Sequence, residues 1–195
     1  MVAMAAAARQ LHSRLKAYAA VETKPEFLKE LVDAVDEFKR CCISAQDLLA
    51  ASRETEGSLA QKLEELALIL ETYDAYCAQG KRDPRDQGTL LLEQLELCDF
   101  AENHVFYIDG FPDFTRQHML IVEHFIRTSD LVVIGLNCDV LDTANPAFEK
   151  AADTAAALLR AARESGVACE VISVEQRIDP LSKVRDRIYR GEIHK

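Results

Sequence analysis

The sequence predicts an α/β protein in which a helical N-terminal part precedes a short parallel sheet flanked by helices. Up to about residue 100, apolar residues recur at spacings of three and four, the period of helices that bury one face. From about residue 101, short apolar runs of strand length alternate with amphipathic segments, as in the βαβ units of parallel sheets. We therefore expect a helical subdomain over residues 1–100 and an α/β part over residues 101–195.

Start signals mark several helices of the first part. Thr23–Glu26 has the spacing of a capping box with proline in the first turn, and Ser44–Asp47 opens a shorter helix. A longer helix is predicted to begin at Ser58 and carries an apolar stripe. The polar run 81–88 contains Pro84 and predicts a loop before another buried helix.

Three apolar runs predict the strands of the second part. They are Val105–Ile108, Leu131–Leu136 and Val167–Val174, with helices expected over Thr115–Arg127 and Pro146–Ser165 between them. A three-stranded parallel sheet leaves both edges unpaired, and doubly wound domains normally have five or more strands. The predicted sheet is therefore incomplete.

An aspartate follows each of the first two predicted strands. Asp109 comes directly after the apolar run that begins at Val105, and phosphate-processing folds use such an aspartate to hold magnesium beside a nucleotide. Many parallel strands also end in an aspartate that only caps the next turn. Asp139 follows the second strand and is expected at the same sheet edge. A small magnesium-dependent phosphohydrolase that uses Asp109 and Asp139 is therefore one hypothesis.

The sequence lacks two features that nucleotide hydrolysis requires. A phosphate-binding loop needs glycine-rich backbone followed by Lys and then Ser or Thr, but the only Gly-Lys pair, Gly80-Lys81, is followed by Arg82. A carboxylate beside the metal-binding aspartate should orient the attacking water, and Gly110 occupies that position. We predict no catalytic residue in this chain and no ATPase activity.

Composition limits the partners and the location. The formal net charge of −10 and the pI near 5.0 predict weak or no binding to nucleic acid by the chain alone. The apolar runs are far shorter than the roughly 20 residues of a membrane-spanning helix, which favours a cytoplasmic protein with no membrane partner. The six cysteines lack Cys-x-x-Cys spacing and are expected to be reduced, small core residues.

One segment resembles the AddB-type subunits of bacterial helicase-nucleases. Ile108-Asp109-Gly110-Phe111, followed by Phe114-Thr115 and Gln117, is similar to the family's Ile-Asp-Gly-Phe and Phe-Thr-Pro-Gln motifs, although Arg116 stands in place of the proline. The similarity continues in the same order along nearly the whole chain. The further matching positions are Glu37–Arg40, Ile43, Asp47, Leu48, Lys62–Ile69, Asp83, Asp86, Phe148, Thr154, Leu158, Leu159, Ala162–Val167 and Arg177.

The resemblance implies a function that belongs to a longer protein. It indicates an internal part of the B subunit of the AddAB helicase-nuclease, an ATP-dependent hydrolase with exonuclease activity. With its AddA-type partner, that enzyme unwinds and degrades double-stranded DNA ends for recombinational DNA repair. This chain would supply the helical insertion and the middle of a superfamily-one helicase-like motor domain, as a scaffold without the nucleotide loop or the nuclease domain.

The resemblance also assigns a position to the candidate site. Asp109 would occupy the place of the magnesium-binding aspartate of the second helicase motif, and Gly110 the place of its catalytic glutamate. Magnesium, ATP and an iron-sulfur cluster belong to the parent family outside this segment, so no cofactor is expected for this chain. The alternative from another class is a free-standing helical and α/β interaction module with no role in DNA processing.

Overall fold

The computed structural model describes residues 2–79, 83–138, 141 and 145–174. The chain divides into two compact units, one formed by Met1–Gln94 with Thr115–His118 and the other by Leu95–Phe114 with Met119–Lys195. The first unit is helical and the second contains the sheet. Among the described residues, no helix combines the length and the apolar character needed to span a membrane.

The helical unit contains five α-helices within its described part, and a one-turn 3-10 helix over Pro84–Asp86 precedes the last of them. The apolar faces of the first four helices pack on one another, which explains the spacing of three and four in the sequence. Ile69 and Leu70, near the middle of the longest helix, are 1% and 3% exposed. The helices are α1 (Val2–Leu11), α2 (Pro25–Arg40), α3 (Ala45–Arg53), α4 (Gly57–Ala78) and α5 (Gln87–Glu96).

Two of the predicted helix starts have different outcomes. The capping box at Ser44 is confirmed, because the Asp47 amide donates to Ser44 Oγ over 3.2 Å and the Ser44 amide donates to Asp47 Oδ2 over 2.8 Å. The box predicted at Thr23 is wrong. Lys24 is the N-cap of α2 without a side-chain cap, because Pro25 already occupies the first turn and shifts the start by one residue.

The second unit contains a two-stranded parallel sheet and two helices within its described part. The strands are β1 (Val105–Ile108) and β2 (Leu131–Ile134), joined by α6 (Arg116–Thr128), and α7 (Glu149–Glu164) follows β2. Val105 pairs with Leu131 and Ile108 with Ile134, so the predicted parallel pairing is confirmed. The α/β class with a helical N-terminal part is therefore confirmed.

The third predicted strand is wrong for the described residues. Val167–Val174 has no regular secondary structure, and Ile172 and Val174 are 72% and 84% exposed. An extended segment becomes a strand only when its amides and carbonyls pair with a neighbour. The sequence pattern shows that the segment is apolar, but it does not indicate whether a neighbouring strand can pair with the segment.

The two faces of the sheet differ in how they are covered. Phe106 of β1 stacks on Phe125 of α6 with ring centroids 4.0 Å apart, and Met119, Val122 and Leu158 form the buried centre beneath this face. The alternate residues of the strands point the other way and are exposed. This bare sheet face consists of Val105 (47% exposed), Tyr107 (75%), Leu131 (50%) and Val133 (41%).

The cysteines do not occupy the core as expected. Three of the six are exposed and three are only partly buried. The prediction of core positions is therefore wrong, whereas the reduced state of the cysteines stays a prediction. Leu, Ile, Val, Met and Ala occupy most of the buried apolar positions, and their side chains carry no reactive group.

Candidate functional site

Asp109 lies at the carboxyl end of β1, as the sequence predicts. The next residue along β2, Gly135, donates its amide to the carbonyl of Ile108 over 2.9 Å and so extends the parallel pairing to this edge. Asp109 is exposed there. The parallel sheet therefore presents the carboxylate at the edge where α/β folds place their ligands.

The Asp109 carboxylate is held against backbone. Its Oδ1 accepts a hydrogen bond from the Gly110 amide over 2.8 Å, and a Cβ added at Gly135 would lie 2.6 Å from the same oxygen. Gly110 has φ +82°, a left-handed conformation that glycine adopts without steric penalty. The glycines on both sides thus allow this aspartate to fold back on the chain, which is the local capping role that the sequence left open.

The described residues do not assemble a metal site at this edge. Asp139, the second candidate, lies outside the described residues, as do Lys81 and Arg82 of the only Gly-Lys pair. Within the described ranges, no group of three or more His, Cys, Asp or Glu side chains converges in a way that could hold a metal ion. Asp109 alone offers one carboxylate, so we derive no metal-dependent step from it.

Gln117, another residue of the resemblance, has a buried role in the helical unit. It is 9% exposed, and its Nε2 donates to Thr89 Oγ1 over 3.1 Å. A Cβ at Gly88 would lie 2.2 Å from the Gln117 side chain, so only glycine leaves room for this contact. Gln117 therefore joins the start of α6 to α5 within this unit.

A polar cluster that sequence reasoning missed lies between α2, α4 and the turn at Pro84–Asp86. The Asp83 side chain is 1% exposed and accepts hydrogen bonds from Tyr73 Oη over 2.7 Å, Lys39 Nζ over 3.2 Å and the Arg85 amide over 3.1 Å. Lys39 also contacts Asp86 at 2.5 Å and Asp74 at 3.2 Å. The matches of Lys39, Asp83 and Asp86 in the resemblance were the only available signal.

The cluster shifts the ionisation of its members. Burial alone would raise the pKa of Asp83, but hydrogen bonds from Tyr73, the Arg85 amide and Lys39 lower it to about 2. Burial raises the pKa of Tyr73, and its hydrogen bond to Asp83 raises that pKa further. Burial would lower the pKa of Lys39, but its carboxylate partners raise it. Asp83 is thus a buried carboxylate that remains ionised, and it holds the turn onto two helices.

Comparison with known proteins connects this arrangement to one family. The sequence matches the family described as ADDB, N-terminal over residues 1–185, which is most of the chain. This chain belongs to that family. The resemblance to the AddB-type family is therefore confirmed.

Three curated relatives of this ADDB-family chain are named as the B subunit of an ATP-dependent helicase/deoxyribonuclease. The protein from Caldanaerobacter subterraneus subsp. tengcongensis is 29% identical over 161 residues, which cover 80% of this chain. The proteins from Thermoanaerobacter sp. strain X514 and Bacillus velezensis are 33% and 28% identical over 66% and 71% of the chain. The aligned segments make up only 14%, 11% and 12% of these relatives, so this chain spans a small part of their length.

Proposed function

We propose that this chain is part of the B subunit of an ATP-dependent helicase-nuclease. The whole protein, with an AddA-type subunit, would process double-stranded DNA ends for recombinational repair in the cytoplasm. The observation that carries this proposal is the match to the ADDB family over residues 1–185, together with three relatives that are named as B subunits of such an enzyme. The magnesium, ATP and iron-sulfur cluster of such a protein would bind outside this segment.

Within that protein, we assign this segment a structural role. Residues 1–100 would form a helical subdomain and residues 101–195 part of the first helicase-like domain. Gly110 follows Asp109 at the position where a helicase motor domain would need a carboxylate. The Asp109 carboxylate accepts a hydrogen bond from the Gly110 amide. These two residues support the assignment of a degenerate helicase motif that does not power translocation.

The bare sheet face supports the same role. Parallel sheets occur almost only with both faces covered, but Tyr107 and Leu131 are 75% and 50% exposed in this chain. We infer that further parts of the longer protein pack on this face. The segment would then be a structural part of the interior of that protein instead of a separate interaction module.

The first test measures catalysis by the chain alone. Incubated with magnesium-ATP and linear duplex DNA, the chain should release neither phosphate nor nucleotides above a protein-free blank. An Asp109→Ala variant should give the same null result, because no activity exists for it to remove. Phosphate release by the wild-type chain that disappears in Asp109→Ala would contradict the structural role and favour the phosphohydrolase hypothesis.

The second test places the segment in a working enzyme. The aligned part of the Caldanaerobacter subterraneus relative would be replaced by this chain, and the chimera co-expressed with the partner subunit. ATP-dependent degradation of linear duplex DNA should persist, since the replaced part supplies structure. A matched chimera with Ile69→Ala, which disrupts the helical core, should lose assembly and activity together. A soluble, assembled chimera without activity would contradict the proposed function.

A further inference from the structure

The first 24 residues have a charge opposite to that of the whole chain. They contain four basic residues and a single acidic one, a local formal charge of +3 in a chain of −10. Three of the basic residues lie at or beyond the end of α1, in the segment 12–24 that connects α1 to α2. We call residues 12–24 the basic loop. The basic residues of the first 24 are Arg9, Arg14, Lys16 and Lys24.

The carboxylate within the basic loop is hidden from solvent. Glu22 is 2% exposed, and one of its oxygens contacts His12 Nδ1, whose side chain is 75% exposed. The other oxygen, Oε2, has no hydrogen-bond partner. The Glu22 carboxylate is therefore buried beside the imidazole of His12.

A second carboxylate, which belongs to α4, fixes the backbone of the basic loop. Glu65 of α4 is 6% exposed and accepts hydrogen bonds from the backbone amides of Lys16 and Ala17, each over 2.8 Å, and of Tyr18 over 3.1 Å. Gln61 donates to the same carboxylate over 3.3 Å. Three amides on one carboxylate fix the backbone of the loop, because charge-assisted hydrogen bonds are the strongest of their kind. The Glu65 carboxylate is therefore also buried.

The cationic side chains of the basic loop are accessible to solvent. Arg14, Lys16 and Lys24 are exposed. Across the described part of the chain, none of them has a side-chain hydrogen bond or ion pair with another residue. Because both local carboxylates are buried, Arg14, Lys16 and Lys24 are the exposed Lys and Arg side chains of the loop, and no exposed Asp or Glu of the loop lies beside them.

We propose that the basic loop binds the sugar-phosphate backbone of duplex DNA. The inference rests on the proposed function, which supplies duplex DNA as the anionic partner, and deepens it by naming the surface. Lys and Arg bind DNA by neutralising phosphates, and this binding does not depend on base sequence. Because Glu65 fixes the loop backbone, little backbone ordering is needed for binding. Because the loop offers only three cations and the rest of the chain carries a net negative charge, the interaction is weak. Added salt should weaken it further, with a slope set by the few phosphates that the loop neutralises.

The experiment measures binding of the 195-residue chain to a short fluorescein-labelled duplex by anisotropy, across a range of salt concentrations. The test variant carries Arg14→Glu with Lys16→Glu. The control carries Arg53→Glu with Arg163→Glu, which makes the same change in net charge at exposed arginines on α3 and α7. Circular dichroism checks that both fold. If the glutamates disturb the loop, a neutral Arg14→Gln, Lys16→Gln variant is compared with Arg53→Gln, Arg163→Gln, which makes the same smaller change in net charge.

We expect the wild-type chain to bind at low salt and the loop variant to bind at least about tenfold more weakly, with a salt slope lower by about 2. The control should weaken binding less than about threefold, through general charge repulsion alone. Equal losses in the two variants would overturn the proposal, as would no binding by the wild-type chain at low salt. Tighter binding to vesicles of anionic phospholipid than to the duplex would also overturn it.

Failure of this inference is distinguishable from failure of the proposed function. The binding assay uses the chain alone, whereas the function is tested by DNA degradation in the chimera. An active chimera together with a loop variant that binds like the control would retain the function and reject the loop. The Arg14→Glu, Lys16→Glu change in that chimera should raise the DNA concentration needed for half-maximal rate, with little change in the maximal rate.

Discussion

The helical unit encloses its own core, whereas the α/β unit leaves one face of its sheet bare. In the helical unit, α1 and α4 bury large apolar residues such as Met4, Leu11 and Ile69 to 1% exposure or less, and α2 packs against them. In the α/β unit, α6 and α7 cover one side of β1 and β2, and Tyr107 on the other side is 75% exposed. The same chain thus contains a unit that is complete in its packing and one that is not.

The difference follows from the geometry of the two kinds of element. A helix needs a partner along one stripe only, and a few amphipathic helices can satisfy one another. A parallel sheet has two faces and two edges, and all of them need cover. A domain segment rich in helices can therefore fold around itself, while a two-stranded parallel sheet depends on further polypeptide.

The largest effect is expected from the core of the helical unit. Ile69→Ala should lower the free energy of unfolding by about 2–5 kcal/mol, because it creates a cavity at a residue that is 1% exposed. Val133→Ala on the bare sheet face, 41% exposed, should cost less than about 1 kcal/mol. Urea unfolding followed by circular dichroism measures both. Similar losses in the two variants would abolish the contrast between the units.

A smaller effect is expected from the polar cluster of the helical unit. Asp83→Ala should lower the free energy of unfolding by about 2 kcal/mol, because it leaves buried donors of Tyr73 and the Arg85 amide without their acceptor. The matched control is Asp74→Ala, whose side chain is 51% exposed and which should cost less than about 1 kcal/mol. If the two variants are equally stable, the cluster does not support the packing of the turn.

The pH dependence of stability should depend on the same aspartate. The pKa of Asp83 falls from its ordinary 3.8 to about 2 on folding, so its ionised form stabilises the fold above about pH 4. That stabilisation, about 2 kcal/mol, is lost as the pH falls toward 2. Unfolding free energies of the wild-type chain and Asp83→Asn should converge across this range. A constant difference between them down to pH 2 would show that the pKa is not lowered.

The smallest effect is expected at the centre of the bare sheet face. Tyr107→Thr removes an aromatic ring that is 75% exposed and places a β-branched residue, which also favours strands, so it should change stability by less than about 0.5 kcal/mol. In the chimera with the longer relative, the same change should lower the thermal midpoint clearly, because the face would be covered there. An equally small change in both contexts would mean that nothing packs on this face.

The helices and the first two strands could be predicted because their signals are local. The Ser44–Asp47 box and the apolar runs of β1 and β2 each occupy a few consecutive residues. The strand expected over 167–174 failed because pairing depends on a neighbour that no local pattern reports. The cysteine prediction failed for a related reason, since composition states how often a residue type is buried but not which copy.

The candidate site was predictable to a similar degree. The placement of Asp109 at the end of β1 follows from the apolar run before it, and the glycine after it was visible in the sequence. Its hydrogen bond to the Gly110 amide and its approach to Gly135 were not, because they depend on the turn conformation and on the parallel pairing of β2.

By itself, the sequence determined the order of most elements, the family, and the lack of a glycine-rich loop with its lysine and hydroxyl. Only the tertiary structure decided which charges are buried. Asp83 accepts a hydrogen bond from Lys39, which is 44 positions away in the sequence. Glu65 accepts one from the Lys16 amide, which is 49 positions away in the sequence. Helical and strand periodicity records which face of an element is apolar, whereas a buried ion pair requires two distant elements to pack in one orientation.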